Sequence, residues 1–148
     1  MARMPASRCV KWALAEFDRG YCCAEAVLMA GAKGLGLTSK LIPKVASGFC
    51  GGVSRTRSVC GAVSGAVIVL GLKYGRTSLE DDRSALISKV QALMAEFRKE
   101  FGSENCFDLT GLDFNTPEGR EKYRQEVHTQ CRRYVEFCLR RALELSEN

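Results

Sequence analysis

The chain has 148 residues, of which 46% are hydrophobic and 26% charged, a composition typical of a globular protein and not of a fibre or a disordered segment. A single domain over residues 1–148 is long enough to bury a core without covalent staples. The net charge of +5 comes from basic residues dispersed along the chain, and no aromatic-interleaved basic motif is present. We therefore expect no nucleic-acid partner.

The start of the sequence and its apolar runs indicate a cytoplasmic protein. The first residues contain neither a continuous apolar core nor a small-residue cleavage site, so we expect no signal peptide. The longest apolar run, residues 62–72, is about half as long as a membrane span needs to be. Cytoplasmic cysteines usually stay reduced unless they are ligands or redox-active groups, so the eight cysteines here are informative.

Apolar residues recur at helical spacing along most of the chain, and no strand pattern is present. We therefore predict an all-α bundle of about six helices. In chain order, the predicted helices cover residues 5–19, 21–33, 38–47, 58–74, a segment from residue 78 or 79 to 101, and a segment from residue 117 onward. The fourth is predicted to be the central helix, because it is glycine-rich and uncharged from Val59 to Leu72 and amphipathic helices flank it.

Two adjacent cysteines lie at the start of the second predicted helix. On a helix, the side chains of Cys22 and Cys23 would diverge by about 100°. They would then not face the same site. Cys23 shares the more apolar stripe with Val27 and Ala30, so we predict that Cys23 is the inward member of the pair.

Cys60 lies at the start of the central helix. Ser58 is the predicted N-cap, which places Cys60 in the first turn, where the helix dipole and free N–H groups favour a thiolate. Gly61 and Gly65 leave one face of this helix almost without side chains, so another backbone can approach it closely. Cys23 has a similar first-turn position.

A glycine-rich loop over residues 48–52 precedes this helix and contains Cys50. The loop lacks the Gly-Lys-Ser/Thr ending of a P-loop, so we do not interpret it as a nucleotide site. Arg55 and Arg57 follow it. We interpret them as solvated charges, with an anion or partner contact as the alternative.

Four of the remaining residues of interest lie in the last third of the chain. Cys106 is in an irregular segment, and Cys131 and Cys138 lie two turns apart on the buried side of the last helix. His128 precedes Cys131 by three residues, close enough on a helix to share a metal with it, although we expect a surface position.

Four of the cysteines lie in segments that resemble a known motif: Cys23 in YCCAEAVL, Cys60 in CGAVSGA, Cys106 in CFDLTG and Cys131 in CRRYVEF. In these segments the chain resembles the C_GCAxxG_C_C family of redox-active proteins, which is named for a CGAxxG motif and four cysteines. The resemblance extends from about Phe17 to Cys138.

The resemblance implies a redox role for these four cysteines, with no established substrate. A similar module forms part of a multihaem cytochrome, where it is associated with an iron–sulfur centre. This sequence contains no CxxCH motif, so we expect no haem. Four cysteines lie outside the family pattern, and two of these are candidate accessory thiols, Cys22 and Cys50; the other two are Cys9 and Cys138.

Three hypotheses follow. In the first, Cys23, Cys60, Cys106 and Cys131 bind an iron–sulfur cluster or another metal for electron transfer. In the second, Cys60 forms a metal-free dithiol–disulfide couple with Cys23 or Cys50. In the third, the cysteines are inert core residues of a structural module. The sequence shows no acid–base pair or nucleophile triad, so we assign no catalytic residue. The expected partners are an unidentified redox partner and, in a homodimer, a second copy of the chain.

Overall fold

A computed structural model describes residues 2–147, and within them it contains helices, turns and one isolated bridge between Val59 and Asn105. The prediction of an all-α fold is confirmed. The helical segments are α1 (Ala6–Arg19), α2 (Cys23–Leu35), a 3-10 helix (Lys44–Phe49), the single turn α3 (Cys50–Val53), α4 (Gly61–Tyr74), α5 (Ser84–Phe101), α6 (Cys106–Thr110), α7 (Pro117–Lys122), a π-helical turn (Tyr123–Val127) and α8 (His128–Leu145).

The core lies where α2, α4 and α8 pack against one another. Helix α1 covers α2 and α8 on one side, and α5 packs against α4 and α8 on the other. The largest fully buried side chains include Leu28 of α2, Leu70 of α4, Phe97 of α5 and Leu139 of α8. None of the helices in residues 2–147 has the length and hydropathy that a bilayer crossing requires.

Several helices begin or end at typical capping residues. Gly36 and Gly102 adopt the left-handed conformation after α2 and α5. Before α7, the hydroxyl of Thr116 accepts a hydrogen bond from the Gly119 N–H at 2.9 Å, and Pro117 occupies the first helical position. The boundaries at Gly102 and Thr116 lie where the sequence predicts them, whereas α2 begins and ends two residues later than the helix predicted over 21–33.

Three other boundaries differ from the prediction. Residues 38–39 are irregular and residues 40–43 form a turn, so the helix expected over 38–47 is replaced by the short 3-10 helix after Pro43, whose ring restricts the backbone. Helix α5 begins only at Ser84, because the Asp81 carboxylate accepts hydrogen bonds from the N–H groups of Thr77 and Ser78 and thereby holds a loop. Helix α4 begins at Gly61, which makes Cys60 its N-cap residue.

Candidate functional site

A cavity of about 570 Å³ is lined by cysteines from separate parts of the chain. The four cysteines of the sequence motif lie on its wall: Cys23, Cys60, Cys106 and Cys131. Cys22 and Cys50 line it as well. Cys9 and Cys138 do not line it, and both are fully buried elsewhere in the core.

Close packing of α2 against α4 brings Cys23 and Cys60 together. A Cβ atom built on Gly65 would lie 2.7 Å from the carbonyl oxygen of Ala24, so only glycine permits this backbone approach. One turn earlier, a Cβ atom on Gly61 would lie 2.6 Å from the Cys23 sulfur. The two glycines of the CGAxxG motif therefore set the helix spacing and make room for the sulfur of Cys23.

A short antiparallel pairing brings Cys106 to the same site. The N–H of Cys60 donates to the Glu104 carbonyl oxygen at 2.7 Å, and the N–H of Cys106 donates to the Ser58 carbonyl oxygen at 2.6 Å. Gly52 lies against this pairing with φ +73°, and a Cβ there would lie 2.6 Å from the Cβ of Cys106. These contacts place Cys106 next to the N-terminus of α4.

Cys131 reaches the cavity from α8, directly after the π-helical turn of residues 123–127. A π turn holds more residues than an α turn and is frequent at functional sites. Here it precedes His128, whose ring stacks on Phe17 with centroids 4.7 Å apart. Tyr123 and His128 both line the cavity, so this turn forms one wall beside Cys131.

A hydrogen bond between Cys60 and Cys23 shifts the pKa values of the two thiols in opposite directions. The thiol of Cys60 hydrogen-bonds to Cys23 and lowers the pKa of Cys23; burial opposes this shift, and the N–H groups of Ala24 and Ala62 reinforce it. The same hydrogen bond, followed by burial, raises the pKa of Cys60. Of the two thiols, Cys23 is therefore the one that loses its proton first, and it lies between the N-termini of α2 and α4.

The other two motif cysteines are held as neutral thiols. Burial, and then the charge of Cys23, raise the pKa of Cys106 to about 11. Burial also raises the pKa of Cys131, and the charges of Cys23 and Cys106 add to the effect. Without a cation to compensate their charge, the four sulfurs would not all be ionised near neutral pH.

Three arginines line the cavity together with the thiols: Arg55, Arg120 and Arg124. Arg120 donates to the carbonyl oxygen of Phe114 at 2.8 Å, and Arg124 pairs with Glu121. Arg57 does not line the cavity and lies over the ring of Phe107. Asp18 also lines the cavity, and its carboxylate pairs with Arg132.

Cys22 and Cys50 form a disulfide with their Cα atoms 5.7 Å apart. The prediction that Cys22 and Cys23 cannot face one site is therefore wrong. Cys22 is the extended N-cap residue of α2, with ψ 169°, so the helical divergence of 100° does not apply to it. Cys50 is paired with Cys22, and the sequence-based pairing of Cys50 with Cys60 is replaced by this bond.

The backbone after Cys50 is unusual. Gly51, Gly52, Val53, Ser54 and Arg55 all have positive φ values, between 50° and 73°. This conformation is disfavoured for side chains with a Cβ and most of all for β-branched valine. Such strain persists only where the surroundings enforce it, and it is frequent at functional sites. From the sequence, positive φ values would be expected only at the glycines of this loop.

The spacing of the four motif sulfurs distinguishes between kinds of metal site. A single zinc ion bound by four thiolates at 2.3 Å needs sulfurs about 3.8 Å apart. Among the described residues, the group whose ligand atoms all lie within 4.8 Å of one another is Cys22, Glu25 and Cys50, and no three of the four motif cysteines form such a group. A single tetrahedral metal ion bound by all four motif thiolates would therefore require their sulfurs to move closer together.

A family model described as "Putative redox-active protein (C_GCAxxG_C_C)" matches residues 21–145 of the chain. This range contains all four motif cysteines, the Cys22–Cys50 disulfide and every residue that lines the cavity from Tyr21 onward. No match was found to a curated protein or to a solved structure.

Proposed function

The chain belongs to the C_GCAxxG_C_C family of redox-active proteins, and from this we propose that it is an electron-transfer protein whose cavity binds an iron–sulfur cluster. Cys23, Cys60, Cys106 and Cys131 would hold the cluster. When bound, such a cluster supplies one-electron chemistry.

The observation that carries the proposal is the convergence of four thiols, from four separate segments, on one cavity. Four cysteine ligands are the usual complement of an iron–sulfur cluster. Burial favours the protonated form of Cys106 and Cys131. A cationic iron core would compensate the negative charge of the four sulfurs and so allow them to ionise.

The protein's own contribution is to orient the ligands and control their charge. The N–H groups of Ala24 and Ala62 point at the sulfur of Cys23, and hydrogen bonds to cysteine sulfurs tune the reduction potential of a cluster. Arg55, Arg120 and Arg124 add positive charge at the cavity and would favour the reduced, more negative state. The proposal places the protein in the cytoplasm, with a redox partner that docks at the open side of the cavity.

A second candidate function is favoured by the Cys22–Cys50 disulfide, which lines the cavity together with Cys23, the motif thiol whose pKa is lowered. In this function a substrate dithiol reduces the disulfide. Two electrons and two protons pass to Cys22 and Cys50, which become thiols, and the substrate becomes a disulfide. A disulfide in a cytoplasmic protein is usually of this transient, redox-active kind.

Reconstitution with iron and sulfide under anaerobic conditions tests the first function. We expect visible charge-transfer absorption that is lost in Cys60→Ser and in Cys131→Ser and retained in Cys9→Ala, which removes a thiol that does not line the cavity. Colourless zinc binding would contradict electron transfer. Absence of bound metal, together with a disulfide that titrates near the potential of thioredoxin, about −270 mV, would favour the second function.

A further inference from the structure

We infer that Cys22, Cys50 and Glu25 form a second metal site, separate from the four motif cysteines, which binds a thiophilic divalent cation such as Zn²⁺ only when the Cys22–Cys50 disulfide is reduced. In this inference the disulfide is the oxidised, metal-free state of the site. The inference does not depend on whether the four motif cysteines bind a cluster.

The geometry of the three side chains matches a compact coordination sphere. Their ligand atoms all lie within 4.8 Å of one another, and all three residues are partly exposed. Zinc binds sulfur at about 2.3 Å and carboxylate oxygen at about 2.0–2.2 Å, so tetrahedral ligands are separated by less than 4 Å. The Cα atoms of Cys22 and Cys50 are 5.7 Å apart, so small side-chain rotations would open the bonded sulfurs to this separation.

The start of α2 explains why a carboxylate accompanies the two sulfurs. Cys22 is the N-cap residue and Glu25 is the third helical residue, and in the capping box each of their side chains contacts the backbone N–H of the other residue. Oε1 of Glu25 accepts a hydrogen bond from the Cys22 N–H at 3.0 Å. The sequence Cys-x-x-Glu at a helix start therefore places a thiol and a carboxylate side by side.

Outer contacts hold the carboxylate in place. Oε2 of Glu25 accepts a hydrogen bond from the hydroxyl of Ser47 at 2.7 Å. Ser47 lies in the 3-10 helix Lys44–Phe49, immediately before Cys50, so the segment that supplies one sulfur also orients the carboxylate. Metal-bound carboxylates are typically supported by such outer hydrogen bonds.

The redox step and the binding step balance separately. A dithiol reductant gives two electrons and two protons to the disulfide, which becomes two thiols, while the reductant becomes a disulfide. Zn²⁺ then displaces the two thiol protons and is bound by two thiolates and one carboxylate. Three protein ligands leave a fourth position, and since Cys22 and Cys50 line the cavity, a water or a small ligand can enter from there.

Zinc titration of the whole chain against a chromophoric chelator tests the inference, with Co²⁺ as the spectroscopic probe. The reduced protein should bind one equivalent of zinc more than the variant Cys22→Ser/Cys50→Ser, and the protein with its disulfide intact should lack that equivalent. Co²⁺ titrated into the reduced protein should show more intense thiolate charge-transfer bands than Co²⁺ titrated into this variant, which retains only the four motif cysteines in the cavity.

Glu25→Gln tests the role of the carboxylate. Its amide oxygen can still accept the hydrogen bond from the Cys22 N–H, but it supplies no negatively charged ligand. We expect it to bind zinc at this site at least about 10-fold more weakly, since loss of even an outer partner typically costs 10–100-fold. Equal zinc stoichiometry in the reduced and disulfide forms, or unchanged affinity in Glu25→Gln, would overturn the inference. Both comparisons use chains that retain Cys22 and Cys50, so they hold even if the double variant does not fold. Iron–sulfur reconstitution of Glu25→Gln reports on the four-cysteine site separately.

Discussion

The sulfur of Cys23 occupies the space that a side chain at Gly61 would need. A Cβ atom on Gly61 would lie 2.6 Å from this sulfur and 3.1 Å from the carbonyl oxygen of Phe49. The glycine that follows Cys60 is therefore a requirement of the site, because it lets the sulfur of Cys23 reach the N-terminus of α4.

Gly61→Ala should displace the sulfur of Cys23 and weaken binding at the four-cysteine site. We expect a lower yield of reconstituted cluster per chain, measured from visible absorption and iron content. Gly71→Ala is the matched control on the same helix, because nothing lies within 4 Å of a Cβ built at Gly71. Full cluster occupancy in Gly61→Ala would show that the position of this sulfur does not matter.

Gly65→Ala should destabilise the fold directly. Its Cβ would lie 2.7 Å from the backbone oxygen of Ala24 and 3.1 Å from the Cβ of Val27, and backbone cannot yield as a flexible side chain does. We expect urea denaturation to show a loss of about 1–3 kcal/mol in the free energy of unfolding. Gly71→Ala should instead stabilise by up to about 1 kcal/mol, because alanine is the better helix former. A Gly65→Ala variant as stable as the unmodified chain would contradict the close packing of α2 against α4.

Cys23 should be the most reactive of the four cavity thiols in the metal-free protein with its disulfide intact. Its pKa is lowered by the Cys60 hydrogen bond and by nearby N–H groups, whereas burial raises the pKa of Cys106 and of Cys131. Alkylation by iodoacetamide at neutral pH, followed by peptide mass spectrometry, should therefore modify Cys23 first. Preferential labelling of Cys106 would contradict this assignment of charge.

Alkaline pH should destabilise the metal-free protein. A thiol whose pKa is raised on folding stabilises the fold fully below its unfolded pKa, and this contribution is lost as the pH rises through the folded value. For Cys106 the window runs from 9.0 to about 11. Cys23 behaves in the opposite way, because its pKa is lowered on folding. Its contribution to the free energy of unfolding is complete above pH 9.0 and is lost as the pH falls through its folded pKa.

Urea denaturation at a series of pH values checks this expectation. The free energy of unfolding should decrease between pH 9 and 11, and the decrease should be smaller in Cys106→Ala, which removes the titrating thiol. A free energy of unfolding that rises over this interval would show that Cys106 is not held as a buried neutral thiol.

The sequence predicts the helical framework because its signals there are local. Apolar spacing marks the helices, and capping residues such as Gly36, Gly102 and Thr116 mark where they end or begin. The four motif cysteines are also identifiable, since their resemblance to the family extends over most of the chain. That they meet in one cavity depends on long-range packing, which the sequence alone does not show.

The features that the sequence did not reveal depend on exceptions to regular geometry. Cys22 faces the cavity because it is an N-cap residue, and an assumed helical position gave it the wrong direction. The loop after Cys50 has positive φ values at Val53 and Arg55, residues that do not favour them. The π-helical turn beside Cys131 likewise has no sequence signature in residues 123–127.

The iron and acid-labile sulfide content of protein purified without exposure to oxygen tests the central proposal most directly. We expect iron and sulfide in equal amounts, at a level corresponding to one cluster per chain, and we expect both to be lost when any one of four residues is changed to serine: Cys23, Cys60, Cys106 or Cys131. Cys22→Ser/Cys50→Ser should retain both, because these residues lie outside the four-cysteine set. Protein that contains neither iron nor sulfide and takes up neither on reconstitution would contradict the account.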